Sequence, residues 1–422
     1  MHRIVVLGAG FAGVEATIGL ERQFRSSPAV EIVLVNEQNY FLFTALLPQI
    51  ASSYINPRHI VQPVRDIRGT RNFRFRRDAV RAIDLEQRRI ELASAPLQYD
   101  FLVVALGSRT DYFGVPGARE HTRDFKSLED AVVLREHILD LCEHADHTED
   151  ATARGQMMTF IVVGGGYTGV ELIAEMQDLL FGYVAPRYRG IPPSDIQLIL
   201  LEALPKILRG VHPALARHAQ KRLRRQGIKL RAGARVTRCF EGGVGINSSE
   251  ILRSETVVWT AGVRAHELVE ALPGPHDRIG RARVNQHLQP DGHPEVFVVG
   301  DSAAVETAEE APRVAPVAIE QGRLAARNIA HILRGERLES YRYVPRGMLV
   351  SLGMNYAVVS AWGVSFHGYL AWLFWNMVHL FKLVGLKKQL QVALDWSLAT
   401  IFPRDAAIVR RQRRCKLCGT DL

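Results

Sequence analysis

The sequence predicts an α/β fold with two Rossmann-like dinucleotide-binding domains, the second inserted in the first, and a C-terminal membrane-associating region. Three observations carry the prediction. An apolar run, Ile4 to Leu7, becomes Gly8-Ala9-Gly10-Phe11-Ala12-Gly13 and then a helical pattern from Val14 to Leu20. The plan repeats at Thr159 to Val163, which leads into Gly164-Gly165-Gly166-Tyr167-Thr168-Gly169 and a helical pattern to about Leu180. A late apolar strand, Val296 to Val299, ends in Gly300-Asp301 and is placed to rejoin the first sheet.

In the first loop, Gly8 permits the tight turn, Gly10 lets the backbone approach a pyrophosphate, and Gly13 packs the helix on the strand, with the helix N-terminus toward the anion. Val30 to Val35 reads as the next strand, ending at Asn36-Glu37, where such folds hold ribose hydroxyls with an acidic side chain. Either residue could serve there, and a plain turn is the alternative. The stretch from Asn39 to Pro48 is apolar but too short to span a bilayer, and is expected to pack on a flat ligand or line the core. Short alternating runs from Phe73 to Phe101 read as a small antiparallel meander returning to a buried strand, Phe101 to Ala105, that stops at Gly107. Phe113 to Gly117 marks a domain crossing.

In the second unit the strand Gln197 to Leu201 ends at Glu202, an acid placed to bond a ribose 2′-hydroxyl and repel a 2′-phosphate. Lys206 and Arg209 nearby weaken that inference. Val257 to Gly262 mirrors Val103 to Gly107, and each is expected to close its own sheet beside a nucleotide. A helix from Pro316 to about Leu333 has proline at a tolerated first-turn position and Gly335 beyond its end. The expected domains are 1–113 with 283–335, an inserted 114–282, and a C-terminal 336–422.

Composition sets the frame. A chain of 422 residues, 47% hydrophobic and 23% charged, can form two or three domains with a substantial core. Four cysteines, at 142, 239, 415 and 418, are too sparse for a disulfide framework and fit a reducing compartment. Cys142 and Cys239 read as buried small hydrophobes. The first strand starts almost at Met1, so no presequence is expected and the fold should face the cytoplasm. A net charge of +9 favours anionic surfaces.

Two dinucleotide loops in one chain have a joint purpose when one ligand is a permanent redox cofactor and the other a diffusible hydride donor. Flavin and nicotinamide are the natural pair. The FAD group would comprise Gly8, Ala9, Gly10, Phe11, Ala12, Gly13, Asn36, Glu37, Val80, Ala105, Gly107, Gly300, Asp301, Pro316 and Val317. The NADH group would comprise Gly164, Gly166, Gly169, Glu202 and Gly262, with Glu202 favouring NADH over NADPH. Unpaired N–H groups at the start of the Pro316 helix would stabilise an anionic reduced flavin.

At these residues the chain resembles the flavin disulfide-reductase superfamily and, within it, the type II (non-proton-pumping) NADH dehydrogenases, NADH:quinone oxidoreductases. The resemblance runs from Arg3 to about Trp396, and is most specific at Asn39 to Pro48, Tyr99 to Gly117, Gly164 to Glu171, Val257 to Gly262, Val296 to Asp301 and Ala315 to Asn328. It implies noncovalent FAD, oxidation of NADH first, and reduction of a membrane quinone, ubiquinone or menaquinone, second. It also implies catalytic roles for Glu171 and Gln321, a surface or helix-pairing carboxylate being the plain alternative for Glu171. The chain departs from the family at Ala315-Pro316 and Glu320-Gln321-Gly322, where many members carry Ala-Gln and Gln-Gln. Pro316 cannot make the expected side-chain contact, which puts the acceptor in more doubt than the NADH half-reaction. A soluble acceptor, or a flavoprotein redox regulator, is the alternative.

Disulfide reductases need a reactive cysteine pair after the first loop, and residues 36–60 contain no cysteine. Sulfide:quinone oxidoreductases need separated thiols, and none lies near 350. Cys415 and Cys418 supply half of a four-ligand zinc site, so no metal is expected. From Tyr369 to Val384 the apolar residues Leu370, Leu373, Phe374, Met377, Leu380, Phe381 and Val384 recur at helical spacing. With Trp362, Trp372, Trp375, Trp396, Lys387, Lys388 and the basic residues from Arg410 to Lys416, they fit an interfacial anchor on an anionic leaflet. The enzyme is thus expected on the cytoplasmic side of the inner membrane, peripheral, with no nucleic-acid module and with a homodimer as a candidate assembly.

Overall fold

In the computed structural model, which describes residues 1–408 apart from 26, 68–72, 248, 307–310 and 346, five helices carry the argument. They are α1 (Phe11–Phe24), α2 (Tyr167–Leu179), α3 (Ala315–Arg334), α4 (Tyr369–Lys382) and α5 (Leu386–Ile401). The chain divides into two units. One comprises Met1–Leu42, Val61–Arg109 and Val263–Pro345; the other comprises Phe43–Ile60, Thr110–Gly262 and the described part of Arg346–Leu422.

The first unit is built on a five-stranded parallel sheet in the order 296–298, 101–104, 2–7, 30–36, 73–77. The second has its own parallel sheet in the matching order 123–124, 256–259, 159–163, 197–202, 229–232. The central strands, Val5-Val6-Leu7 and Ile161-Val162, are fully buried, as parallel strands covered on both faces must be. Val296–Val298 does rejoin the first sheet, in register with Leu102 to Val104.

Two expectations about strands are corrected. Phe73–Arg77 belongs to no meander: it is the parallel edge strand beside Val30–Asn36, its alternation reflecting an inward Phe75 and outward-facing arginines. The meander is confined to 80–84, 89–92 and 97–98. Nor do Phe101–Val104 and Thr256–Trp259 close their sheets. Each lies one strand in, and Val296–Val298 and Arg123–Asp124 form the edges, a distinction that burial on both faces does not reveal in sequence.

Helices α1 and α3 cross closely in the first unit. A Cβ placed on Gly322 would stand 2.2 Å from the Ala12 carbonyl oxygen, and one on Gly19 2.7 Å from Ala326 Cβ. Glycine at these two positions sets the approach. Helix α3 has Pro316 in its first turn and ends in Gly335 at φ 70°, as its sequence predicts.

The C-terminal segment adds an antiparallel sheet, 348–351, 357–361, 364–368, with α4 packed on it through Phe366 and Phe374, ring centroids 5.8 Å apart. The tryptophan expectation is corrected here. Trp372, Trp375 and Trp396 are buried, and Trp362 alone of the four is exposed. The indoles pack inward because they fall on the helix face opposite the outward stripe. That stripe is Leu370, Leu373, Met377 and Phe381 on α4, and Leu386, Leu390, Leu394 and Leu398 on α5. Among the described residues no helix is long and apolar enough to cross a membrane. Cys142 and Cys239 are buried, while Cys415, Cys418 and the basic run from Arg410 lie outside the described residues.

Candidate functional site

Both glycine loops have the same geometry. Gly8 and Gly164 have φ of +96° and +111°, a region open to glycine. A Cβ on Gly13 would stand 1.8 Å from the Gly8 carbonyl oxygen, and one on Gly169 2.0 Å from that of Gly164. These four glycines are required by their own backbone. Gly10 and Gly166 are not: each is an N-cap in extended conformation, and a Cβ there meets no protein atom within 4 Å. The middle glycine of each loop therefore faces open space at a helix N-terminus with no side-chain cap, leaving backbone N–H groups available to an anion.

The residues after the second strands behave alike. Asn36 Oδ1 accepts the N–H of Ala9 at 2.9 Å, and Glu202 Oε2 accepts that of Gly165 at 2.7 Å. Glu202 Oε1 also accepts the Leu204 N–H at 2.8 Å. Each side chain thus braces its own loop, a use not visible in the sequence. Glu37 is exposed, as are Lys206 and Arg209.

In the first unit Asp301 follows Val296–Val298, its Oδ2 accepting the Ser108 hydroxyl at 2.7 Å. Gln321 is buried, and its Oε1 accepts the Gly300 N–H at 2.7 Å, so it fixes the Gly-Asp turn. Ala105 and Val317 are buried; Val80, Gly107 and Pro316 are half-buried. Helix α3 begins at Val314 without a side-chain cap. In the second unit Gly262 has φ +72°, and a Cβ on it would meet the Phe113 ring at 2.3 Å.

A second feature of the second unit was only partly foreseen. Ala45, Pro48, Gln49, Glu171, Glu175, Ser351 and Trp375 pack around one another in a cleft too narrow to admit a water molecule. Glu171 lies in the first turns of α2, where its carboxyl accepts the Ser351 N–H at 2.8 Å. Burial pushes it up to about 8, against the opposing effects of that N–H and of Trp375. Glu171 is therefore largely protonated at neutral pH. His379 stacks on Trp375 at 3.9 Å, and burial lowers it to about 4, so its imidazole is neutral. Glu175 and Asp178, missed in the sequence, follow Glu171 at four and seven residues, the spacing that puts them on one helix face.

The paired parallel sheets and the two helix-capped glycine loops define a two-dinucleotide oxidoreductase. Residues 2–322 match the family model for pyridine nucleotide-disulphide oxidoreductases, and residues 346–405 match the NDH2 C-terminal domain. Among curated relatives, type II NADH:quinone oxidoreductase Ndh of Mycobacterium tuberculosis is 34% identical over 420 residues, covering 96% of this chain and 89% of the relative. The type II NADH:quinone oxidoreductase of Staphylococcus epidermidis is 32% identical over 368 residues, covering 86% and 90%. Among solved structures, NDH2 of Plasmodium falciparum bound to NADH shares the fold at TM-score 0.88 and 17% identity, covering 96% and 99%. The sulfide:quinone oxidoreductase of Aquifex aeolicus shares it at TM-score 0.75 and 17% identity, covering 96% of both. The chain belongs to the pyridine nucleotide-disulphide oxidoreductases and, within them, to the type II NADH:quinone oxidoreductases.

Proposed function

We propose that the chain is an FAD-dependent oxidoreductase that moves two electrons from NADH to a quinone without pumping protons. The observation that carries this reading is the repeated loop, whose middle glycines, Gly10 and Gly166, are the two that open onto space rather than onto their own backbone. When bound, FAD supplies the two-electron carrier between nicotinamide and quinone.

The chain's own residues then divide by role. Gly8 to Gly13 cradle the FAD pyrophosphate, braced by Asn36, while Ser108 orients Asp301 toward the flavin's polar linker and Gln321 holds the Gly300 turn. Val80, Ala105, Gly107 and Glu37 complete the FAD group. The start of α3 turns its positive end toward developing negative charge; Pro316 there has no N–H, and the Val317 N–H donates to the Val314 carbonyl oxygen at 3.0 Å. Gly164 to Gly169 hold the NADH pyrophosphate, Glu202 sits at the adenosine ribose and disfavours a 2′-phosphate, and Gly262 makes the positive-φ turn beside the nucleotide against Phe113. Glu171 holds a proton for the acceptor half-reaction.

The exposed apolar stripes of α4 and α5 support peripheral binding to a membrane, where a lipid-soluble quinone is reached, and the net charge of +9 favours an anionic leaflet, which we take to be the cytoplasmic one. A homodimer is the proposed assembly. Purified protein tests the reading: the released chromophore should be FAD at one per chain, and anaerobic turnover should form one quinol per NADH consumed. NADH oxidation that proceeds only with oxygen would overturn it.

A further inference from the structure

Between Glu202 and Glu241 the sequence carries eleven lysines and arginines and no aspartate or glutamate, more positive charge than the net +9 of the whole chain. Much of it falls on one helix, Pro213–Arg225. Leu215, Ala219 and Leu223 turn inward, while Arg217, Lys221, Arg224 and Arg225 recur three and four residues apart on the outer face and line a shallow groove with Gln220. All four cations are exposed, and among the described residues none has an ion-pair partner. Other cations of the stretch are engaged: Arg231 pairs with Glu250, and Arg222 lies over the Tyr356 ring at 5.0 Å. Like charges four apart on a helix repel, so the outer face is held at a cost that a covering anion would offset.

The position of that face decides which anion it meets. The helix packs on the C-terminal sheet, in the same unit of the chain, where His218 stacks on His367 with ring centroids 3.9 Å apart. The Tyr356 hydroxyl meets His367 Nδ1 at 3.0 Å, so with Arg222 over the Tyr356 ring the contact is fixed at two points. His367 belongs to the edge strand Val364–Gly368. The residue before it, Phe366, points to the other face, as alternate side chains of a strand must, and meets Phe374 of α4 at 5.8 Å. Trp362, at the hairpin tip, meets Phe374 at 6.2 Å.

The edge strand is thus flanked by the basic helix on one side and by α4, with its outward apolar stripe, on the other. Between them Trp362, Val364 and Ser365 are exposed. Cations on one flank and apolar side chains on the other are the two components of interfacial binding, one working at the phosphate level and one in the acyl boundary.

We propose that the outer face of the helix Pro213–Arg225 binds the phosphate headgroups of anionic phospholipids and extends the membrane footprint from α4 across the edge strand. Arg217, Lys221, Arg224 and Arg225 are the headgroup contacts, the guanidinium fork matching phosphate oxygens in pairs. The inference rests on the reading of peripheral membrane binding. Salt screens this attachment and spares the apolar one.

Sedimentation of full-length holoprotein with vesicles of phosphatidylcholine alone, or of equal parts phosphatidylcholine and phosphatidylglycerol, tests it, with flavin content and melting temperature as checks on folding. Arg217→Gln, Lys221→Gln, Arg224→Gln and Arg225→Gln combined should weaken binding to the mixed vesicles at low salt by about tenfold or more, flatten its salt dependence, and leave binding to phosphatidylcholine within about twofold. Removing the same charge from four exposed arginines of the first unit, Arg22, Arg283, Arg337 and Arg342, should weaken it by no more than about twofold. Equal losses in the two variants, or no loss in the first, would overturn the inference. So would release of wild type by inorganic phosphate beyond that by chloride at equal ionic strength, which would assign the face to free phosphate, or loss of duplex DNA binding in the first variant with vesicle binding intact. A second readout leaves the chain unaltered: amide hydrogen exchange across 213–225 should slow on the mixed vesicles and not on phosphatidylcholine, and unchanged exchange would also overturn it. Wild type that stays in the supernatant with both kinds of vesicle would instead overturn the membrane reading.

Discussion

Glu171 Oε1 accepts the backbone N–H of Ser351 at 2.8 Å, tying the helix that follows the second glycine loop to the first strand of the C-terminal sheet. The acid is held up to about 8 by burial, from an ordinary 4.5. Between these values the folded state carries a proton that the unfolded state has lost, so stability falls as pH rises through that window. Glu171→Gln keeps the bond to Ser351 and removes the slope. The variant should gain about 1 kcal/mol or more on the wild type at pH 9 relative to pH 5, read as melting temperature at the two pH values. It should also retain FAD and slow the quinone half-reaction more than reduction by NADH.

Glycine substitutions should separate fold from ligand. Gly13→Ala and Gly169→Ala drive a methyl into a backbone carbonyl and should cost about 2 kcal/mol or more. Gly10→Ala and Gly166→Ala meet only open space and should leave the apoprotein's melting temperature unchanged while weakening FAD and NADH binding respectively. Calorimetry of apoprotein, with flavin and nucleotide titrations, distinguishes the pairs.

Glu202 bears on nucleotide choice through charge and through the loop it braces. Glu202→Gln preserves an acceptor for the Gly165 N–H and removes the charge, so the preference for NADH over NADPH should narrow by about tenfold in kcat/KM. An unchanged ratio would assign Glu202 to loop bracing alone.

The outward stripe and the buried indoles make opposite predictions. Leu373→Asp with Leu394→Asp alters exposed positions and should reduce sedimentation with anionic vesicles while leaving flavin content intact. Trp375→Ala removes a buried side chain and should lower the melting temperature, at a cost of about 3 kcal/mol or more. Vesicle sedimentation beside thermal melts checks both.

Much of this was legible because the loops are local. Gly8-x-Gly10-x-x-Gly13 and its repeat state their conformation in their own spacing, and the apolar runs before them could only be buried strands. The missed features are tertiary. Whether Phe101–Val104 is an inner or an edge strand depends on Val296–Val298, nearly two hundred residues away. The inward turn of Trp375 and Trp396 depends on which helix face the sheet and Gln49 occupy; Trp396 Nε1 donates to Gln49 Oε1 at 2.9 Å. Glu175 and Asp178 show the i, i+4, i+7 spacing from Glu171, but their burial follows only once Arg404 and Ser52 close over them.

The most direct test of the central claim is anaerobic stopped-flow mixing of the NADH-reduced holoprotein with ubiquinone and menaquinone analogues, compared with oxygen, followed at the flavin absorbance. The claim predicts that at least one quinone restores the oxidised spectrum about tenfold or more faster than oxygen, with one quinol formed per NADH consumed. Reoxidation by oxygen as fast as by every quinone, or a spectrum that NADH never bleaches, would contradict it.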